Sequence, residues 1–228
     1  MKRFYKSVLV GEDLSVLLDG KPIATPAGAR LALPTRALAD AIAEEWRGQG
    51  EIIDPASMPL TKLANTAIDR AAALREDIAV ELLRFGMSDL LCYRAIEPDA
   101  LIARQHAHWT PLLDWAHQTH GARLKWVYGV THVEQDAGAL AALGRALGEL
   151  DDWTLTGLQT ITSITGSLIL ALAAAAGRLT PLEAFEISRL DETFQAERWG
   201  SDSAAEQRAA LLAREVEMAG KFTALART

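Results

Sequence analysis

"SVLLDGKPIATPAGARLALPTRALADAIAEEW", Ser15 to Trp46, decides the fold class, because the spacing of its apolar residues changes part-way along. Asp19-Gly20 separates two apolar runs, and this pair suits a two-residue hairpin turn in which both positions need positive φ. Pro26 to Gly28 predicts a second turn, followed by another short strand. From Thr35 the period becomes helical. Leu38, Ala41, Ile42 and Trp46 share one face, while Asp40, Glu44 and Arg47 lie elsewhere. The first 34 or so residues therefore read as a small antiparallel sheet, too small to bury much by itself.

Outward from that stretch, helices dominate. The first is expected to stop near Gly48 to Gly50. A loop with two prolines leads to a helix with Leu63, Ala67 and Ala71 inward, and residues 74–85 carry another helical pattern. Pro98 opens the next helix, which Pro111 is expected to kink or split. "LKWVYGVTHV", 124–133, reads as a short strand or an extended link, and 136–149 as a short helix. Thr180-Pro181-Leu182-Glu183 and Ser203 to Glu206 are read as capping boxes. Leu212, Val216, Ala219 and Phe222 make one stripe on the last helix. The expected fold is α+β: a small N-terminal antiparallel β-rich domain, 1–45, with its boundary between 35 and 60, then a larger mostly α-helical domain, 46–228.

Composition narrows the function. The 228-residue chain has 23 basic and 30 acidic residues and a net charge of -7, which disfavours nucleic acid and anionic membranes as partners. Cys92 is the single cysteine, so an internal disulfide is impossible and a reducing compartment is expected. A buried, inert thiol is the expectation for it. Trp153 to Gly177 lacks charge, but eight Thr, Ser and Gln residues interrupt it. It reads as one central core helix, with Gly166 allowing close packing; a marginal membrane span is the alternative.

The usual enzyme signatures are missing. Neither phosphate-binding glycine motif occurs, and no GxSxG is present. Among the histidines, His106 and His108 would point to opposite sides of a helix. His117 and His120 share a face but lack an evident third ligand, so exposed helical histidines are expected and no metal. No Glu-x-x-His pair supports a carboxylate-bridged di-metal centre, which removes that role from Asp191 and Glu192.

Those two acids lie in "SRLDETFQAERWG", Ser188 to Gly200. On a continuous helix Ile187, Leu190 and Phe194 fall within about 60° of one another and form a core stripe. Asp191 lies at its edge, placed to accept a hydrogen bond from a neighbouring helix or to cap a loop. Glu192 points away, on a second face with Phe185 and Trp199. Arg189 is then a local ion partner for Glu192. Three roles stay open for Glu192: that local ion pair, a contact on a protein-binding face, and a general acid.

Several pieces taken together resemble the ATP12 family of F1-ATPase assembly chaperones: "RFYK" (3–6), "LDGKPIATPA" (18–27), Glu45, Trp46 and Gln49, "MPLTKLANTAID" (58–69), "DLLCYRA" (89–95), "WTPLLDWA" (109–116), "GSLILALA" (166–173) and "SRLDETFQAERWG" (188–200). Their order and spacing carry the resemblance nearly end to end. It implies a non-enzymatic chaperone without cofactor or metal that transiently binds the free α subunit of F1-ATPase. It would shield the surface that later meets the β subunit. The resemblance also implies that the acidic pair Asp191 and Glu192 belongs to the functional segment, with Phe185, Arg189 and Trp199 around it. Thr110 departs from the acidic residue expected at its position. The chain starts directly at the β-rich part, which suggests a bacterial cytoplasmic form, eukaryotic relatives belonging to the mitochondrial matrix; a monomer is expected. The alternative is an enzyme with an interdomain pocket using Asp191 or Glu192 as acid or base; a passive scaffold is a third reading.

Overall fold

The computed structural model describes residues 1–71 and 73–227. The strands are β1 (Val8–Val10), β2 (Val16–Leu18), β3 (Lys21–Pro22), β4 (Tyr93–Arg94) and β5 (Val127–Tyr128). The α-helices are α1 (Arg36–Arg47), α2 (Pro59–Thr66), α3 (Arg75–Met87), α4 (Asp99–His120) and α5 (Ala137–Gly148), followed by α6 (Asp152–Thr165), α7 (Leu168–Ala175), α8 (Pro181–Ser188), α9 (Leu190–Trp199) and α10 (Ser203–Leu225). A small antiparallel sheet followed by a larger helical region is the α+β arrangement expected from the sequence. The chain forms two compact units: Met1–Arg75 with Asp151–Gly157 and Met218–Thr228, and Glu76–Leu150 with Leu158–Glu217. The boundary expected at residue 45 lies within α1.

In the first unit, β1, β2 and β3 pair antiparallel in that order. Asp19 and Gly20 take φ values of 49° and 81°, as a two-residue turn with the sheet's own twist requires. The Asp19 carboxylate also accepts from the backbone N–H of Ser7 at 2.8 Å, tying the turn to the approach of β1. Thr35 caps α1 through the Leu38 N–H. The buried face of α1, Leu38, Ile42 and Trp46, packs with Val8, Val16, Leu18, Leu31 and Phe222 in one core. Thr35 Oγ1 donates to the Leu225 carbonyl at 2.5 Å, holding the end of α10 in the same unit. Gly157 is the close approach of α6 to α10: a Cβ there would lie 2.9 Å from the Ala219 carbonyl oxygen.

The motif residues Glu45 and Gln49 are structural. Glu45 accepts from the Leu60 N–H at 2.7 Å and from the Thr61 N–H at 2.8 Å, completing the first turn of α2. Gln49 accepts from the Asp54 N–H at 2.7 Å and donates to Ser57 Oγ at 2.9 Å, fixing the proline loop. A π-helical turn, Ala67–Ala71, continues α2.

In the second unit, three expectations need correction. Pro111 does not split α4, which runs as one helix from Asp99 to His120. Trp109, Leu112 and Leu113 are buried around the proline, and their packing holds the helix together. The uncharged stretch after Trp153 is not one helix. Gly166 takes φ 70°, and Ser167 restarts the chain as the N-cap of α7. Asp89 fixes this break: it accepts from Ser167 Oγ at 2.7 Å and from the Ile169 N–H at 3.1 Å. Burial pushes the Asp89 carboxyl from 3.8 up to about 6, against the pull of these donors. Close packing therefore belongs to Gly157, and Gly166 serves the break. No helix among the described residues is long and apolar enough to cross a membrane.

The third correction concerns the caps. Thr180 and Glu183 form the full reciprocal box at α8. Ser203 instead is the first residue of α10, and Asp202 stands before it, accepting weakly from the Ala204 N–H at 3.4 Å. The Ser201 hydroxyl, not a backbone N–H, takes the Glu206 carboxylate.

Buried polar groups organise the rest of this unit. β4 and β5 pair in parallel. Arg94, 1% exposed, donates to Thr110 Oγ1 at 2.9 Å, and its guanidinium lies 4.6 Å from the Trp126 ring centroid. Thr110, the departure from the family pattern, thus serves a buried cation. His106 is not the exposed residue expected; its Nδ1 meets Arg94 at 2.8 Å and its Nε2 meets the Tyr128 hydroxyl at 3.0 Å. Cys92 is buried, and burial first, then the Asp89 charge, push its thiol well above the ordinary range.

Candidate partner-binding groove

The helix assumed through Ser188–Gly200 is interrupted. Ser188 Oγ donates to the Phe185 carbonyl at 2.7 Å, and Arg189 leaves helical geometry with φ -107° and ψ 21° before α9 begins. Phase counted across that break fails. Phe185 is buried at 6% exposure, whereas Trp199 is 75% exposed. Phe185 therefore does not share a face with Glu192 and Trp199.

α4 fixes the orientation of α8 and α9. Trp109 Nε1 donates to the Ile187 carbonyl at 3.1 Å. Gln105, fully buried, donates to Asp191 Oδ1 at 2.7 Å and accepts from the Ala95 N–H at 2.8 Å. Arg104 clasps Glu197 with two bonds of 2.9 Å, which hold the Glu197 carboxyl below its ordinary range. Phe194 is buried between the guanidinium groups of Arg104 and Arg198, at 5.3 and 4.7 Å from its ring centroid. Asp191 is thus a brace between helices.

Glu192 faces the other way. With Arg189, Trp199, Asp202 and Glu206 it lines an open groove of about 620 Å³ made by α9 and the first turns of α10. Gly200, at φ 86°, turns the chain between α9 and α10, which together line the groove. Arg189 approaches Glu192 at 3.9 Å, a loose pair, and its guanidinium lies 5.6 Å from the Phe185 ring centroid. The lining carries three carboxylates, Glu192, Asp202 and Glu206, and the single cation Arg189. Three of the five expected site residues therefore meet at one place. Asp191 supports it from behind, and Phe185 lies beneath Arg189. Among the described residues, no group of three or more His, Cys, Asp and Glu is placed to hold a metal.

Residues 2–117 match the family model described as ATP12 chaperone protein. The chain belongs to the ATP12 chaperone family. The solved structure of Atp12 from Paracoccus denitrificans is 44% identical to this ATP12-family chain, covers 99% of it and 98% of its own length, and superposes with a TM-score of 0.93. An Agrobacterium tumefaciens protein of solved structure is 46% identical, over 98% of this chain and 85% of its own, with a TM-score of 0.89. The mitochondrial protein atp12 of Schizosaccharomyces pombe is 25% identical over 221 residues, 88% of this chain and 74% of that protein. Membership makes this a chaperone of ATPase assembly and not an enzyme, so the acid–base reading of Asp191 and Glu192 falls away. Asp202 and Glu206, which the sequence reading left out of the site, are the additions. Their only sequence signal is "RWGSDS", a glycine-led reversal between two helical patterns.

Proposed function

We propose that this chain binds the unassembled α subunit of F1-ATPase transiently, as a monomer, and covers its β-facing surface until the hexamer forms. The observation that supports the reading is the meeting of Glu192, Arg189 and a largely exposed Trp199 on one open groove. An exposed tryptophan beside charged groups is the composition of a binding hot spot. Release needs no nucleotide, because the β subunit can compete with a larger interface of its own. Similarity to bacterial proteins and a lone buried thiol support the bacterial cytoplasm as its compartment.

Light scattering by purified F1 α subunit, with and without an equal amount of this chain, tests the proposal. The chain should suppress scattering and co-elute with α. Glu192→Lys should lose most of that activity with an unchanged circular dichroism spectrum. An unmodified chain that neither binds α nor lowers scattering rejects the proposal.

A further inference from the structure

The first unit carries a second open groove, about 600 Å³, of opposite electrostatic character. Ile53, Met58 and Leu31 form its apolar floor, all buried against the sheet core. Two exposed cations, Lys62 on α2 and Arg70 on the π-helical turn, stand on its wall. Among the described residues neither is in an ion pair. Asp69 is the one carboxylate lining the groove, and it is already engaged: it accepts from Thr25 Oγ1 at 2.5 Å and from the Ala27 N–H at 3.0 Å. Trp46 lies in the wall with its Nε1–H buried and without an acceptor.

These features ask for one kind of occupant. The floor calls for apolar side chains and the two free cations for carboxylates. The π-helical turn matters because it places Arg70 on the groove wall, about two turns beyond Lys62; such turns recur at binding sites. We infer that this groove binds an extended peptide segment of a client protein that alternates apolar and acidic residues. Its apolar side chains lie on Ile53 and Met58, and its carboxylates meet Lys62 and Arg70. The site is independent of the acidic α9–α10 groove and of the identity of the client. A chaperone with one basic-rimmed and one acidic groove engages two chemically different segments, which raises avidity without a tight contact at either.

Fluorescence anisotropy with two labelled synthetic nonapeptides tests this on the full chain. Both peptides carry the same Val and Leu residues; one alternates them with Asp, the other with Lys. The acidic peptide should bind, and binding should weaken roughly tenfold in Lys62→Glu/Arg70→Glu, the effect of reversing two solvent-facing charge contacts. Both positions are exposed, so circular dichroism should not change. Equal binding of the two peptides, undiminished binding to the double variant, or stoichiometric displacement of the peptide by dodecanoate, which would make a small anionic amphiphile the occupant, overturns the inference.

Discussion

In each unit one helix has its N-terminus completed by a carboxylate from a distant part of the chain, and the two cases differ in their surroundings. Glu45 reaches from α1 to the first turn of α2, where it takes the Leu60 and Thr61 N–H groups while remaining partly in contact with water. Asp89 reaches α7 from 80 residues away to take the Ile169 N–H, and it is fully buried. The hydrogen-bond chemistry is the same: a negative oxygen placed where the helix presents unpaired donors and the positive end of its dipole. Burial separates them. At Glu45 water shares the work, so the cap tunes stability. At Asp89 nothing else can satisfy the donors, so the cap decides whether the α6–α7 break exists at all.

The largest expected effect is therefore Asp89→Ala. It strands Ser167 Oγ, the Ile169 N–H and the Leu91 N–H in a dry interior and should lower unfolding stability by about 3 kcal/mol or more in urea denaturation. A loss under about 1 kcal/mol would mean that the break is held by Gly166 alone. The same site should produce a pH dependence. The folded carboxyl titrates near 6 and the unfolded one near 3.8, so between those values the native state holds a proton that the unfolded chain has lost. Stability contributed by this group is thus complete at low pH, falls as pH rises through that window and levels off above about 6, by an amount on the order of 3 kcal/mol. Asp89→Asn, less stable overall, should lose this slope. Persistence of the slope in Asp89→Asn would assign it to other groups.

Glu45→Ala should cost less, about 1 to 2 kcal/mol, the range for removing a cap that water can partly replace. A larger loss than at Asp89 would break the comparison, since it would mean that burial does not control the cap's weight. Native-state hydrogen exchange gives a local reading: the amides of α2 should open more often in the variant while those of α7 keep their protection.

The same contrast explains which parts of the molecule were legible in the sequence. Local devices were. Asp19-Gly20 announces its own turn, Thr180 and Glu183 sit three residues apart, and α1 declares its period within one window. The α6–α7 break was not, because the acid that enforces it lies 78 residues from the serine it binds. Spacing placed Asp191 at the edge of the core stripe as an acceptor for a neighbouring helix, but its donor, Gln105, lies 86 residues away and could not be named from the sequence. Glu192, Arg189 and Trp199 were read as site residues from local charge, aromatic spacing and family resemblance. Asp202 and Glu206 join them only through the turn at Gly200. Phe185 was given the wrong face because the helical count ran through a break at Arg189 that no local proline or glycine marks.

The smallest expected effect on stability belongs to the residue with the largest expected effect on function. Glu192 caps no helix from a distance, lies exposed, and has one loose contact at 3.9 Å with Arg189. Exposed pairs of this kind contribute between nothing and about 1 kcal/mol, so Glu192→Lys should move the urea midpoint by no more than about 0.5 kcal/mol in free energy. The groove's charge changes far more. Its lining goes from three carboxylates against one cation to two against two, with the new ammonium set beside Arg189. A partner recognised through this face would meet repulsion where it met attraction, and repulsion inside a contact costs much more than the same charge does on a free surface. Denaturation and α-subunit binding measured on one preparation separate the cases: preserved stability with lost binding makes Glu192 a contact, whereas equal losses in both make it a brace like Asp191.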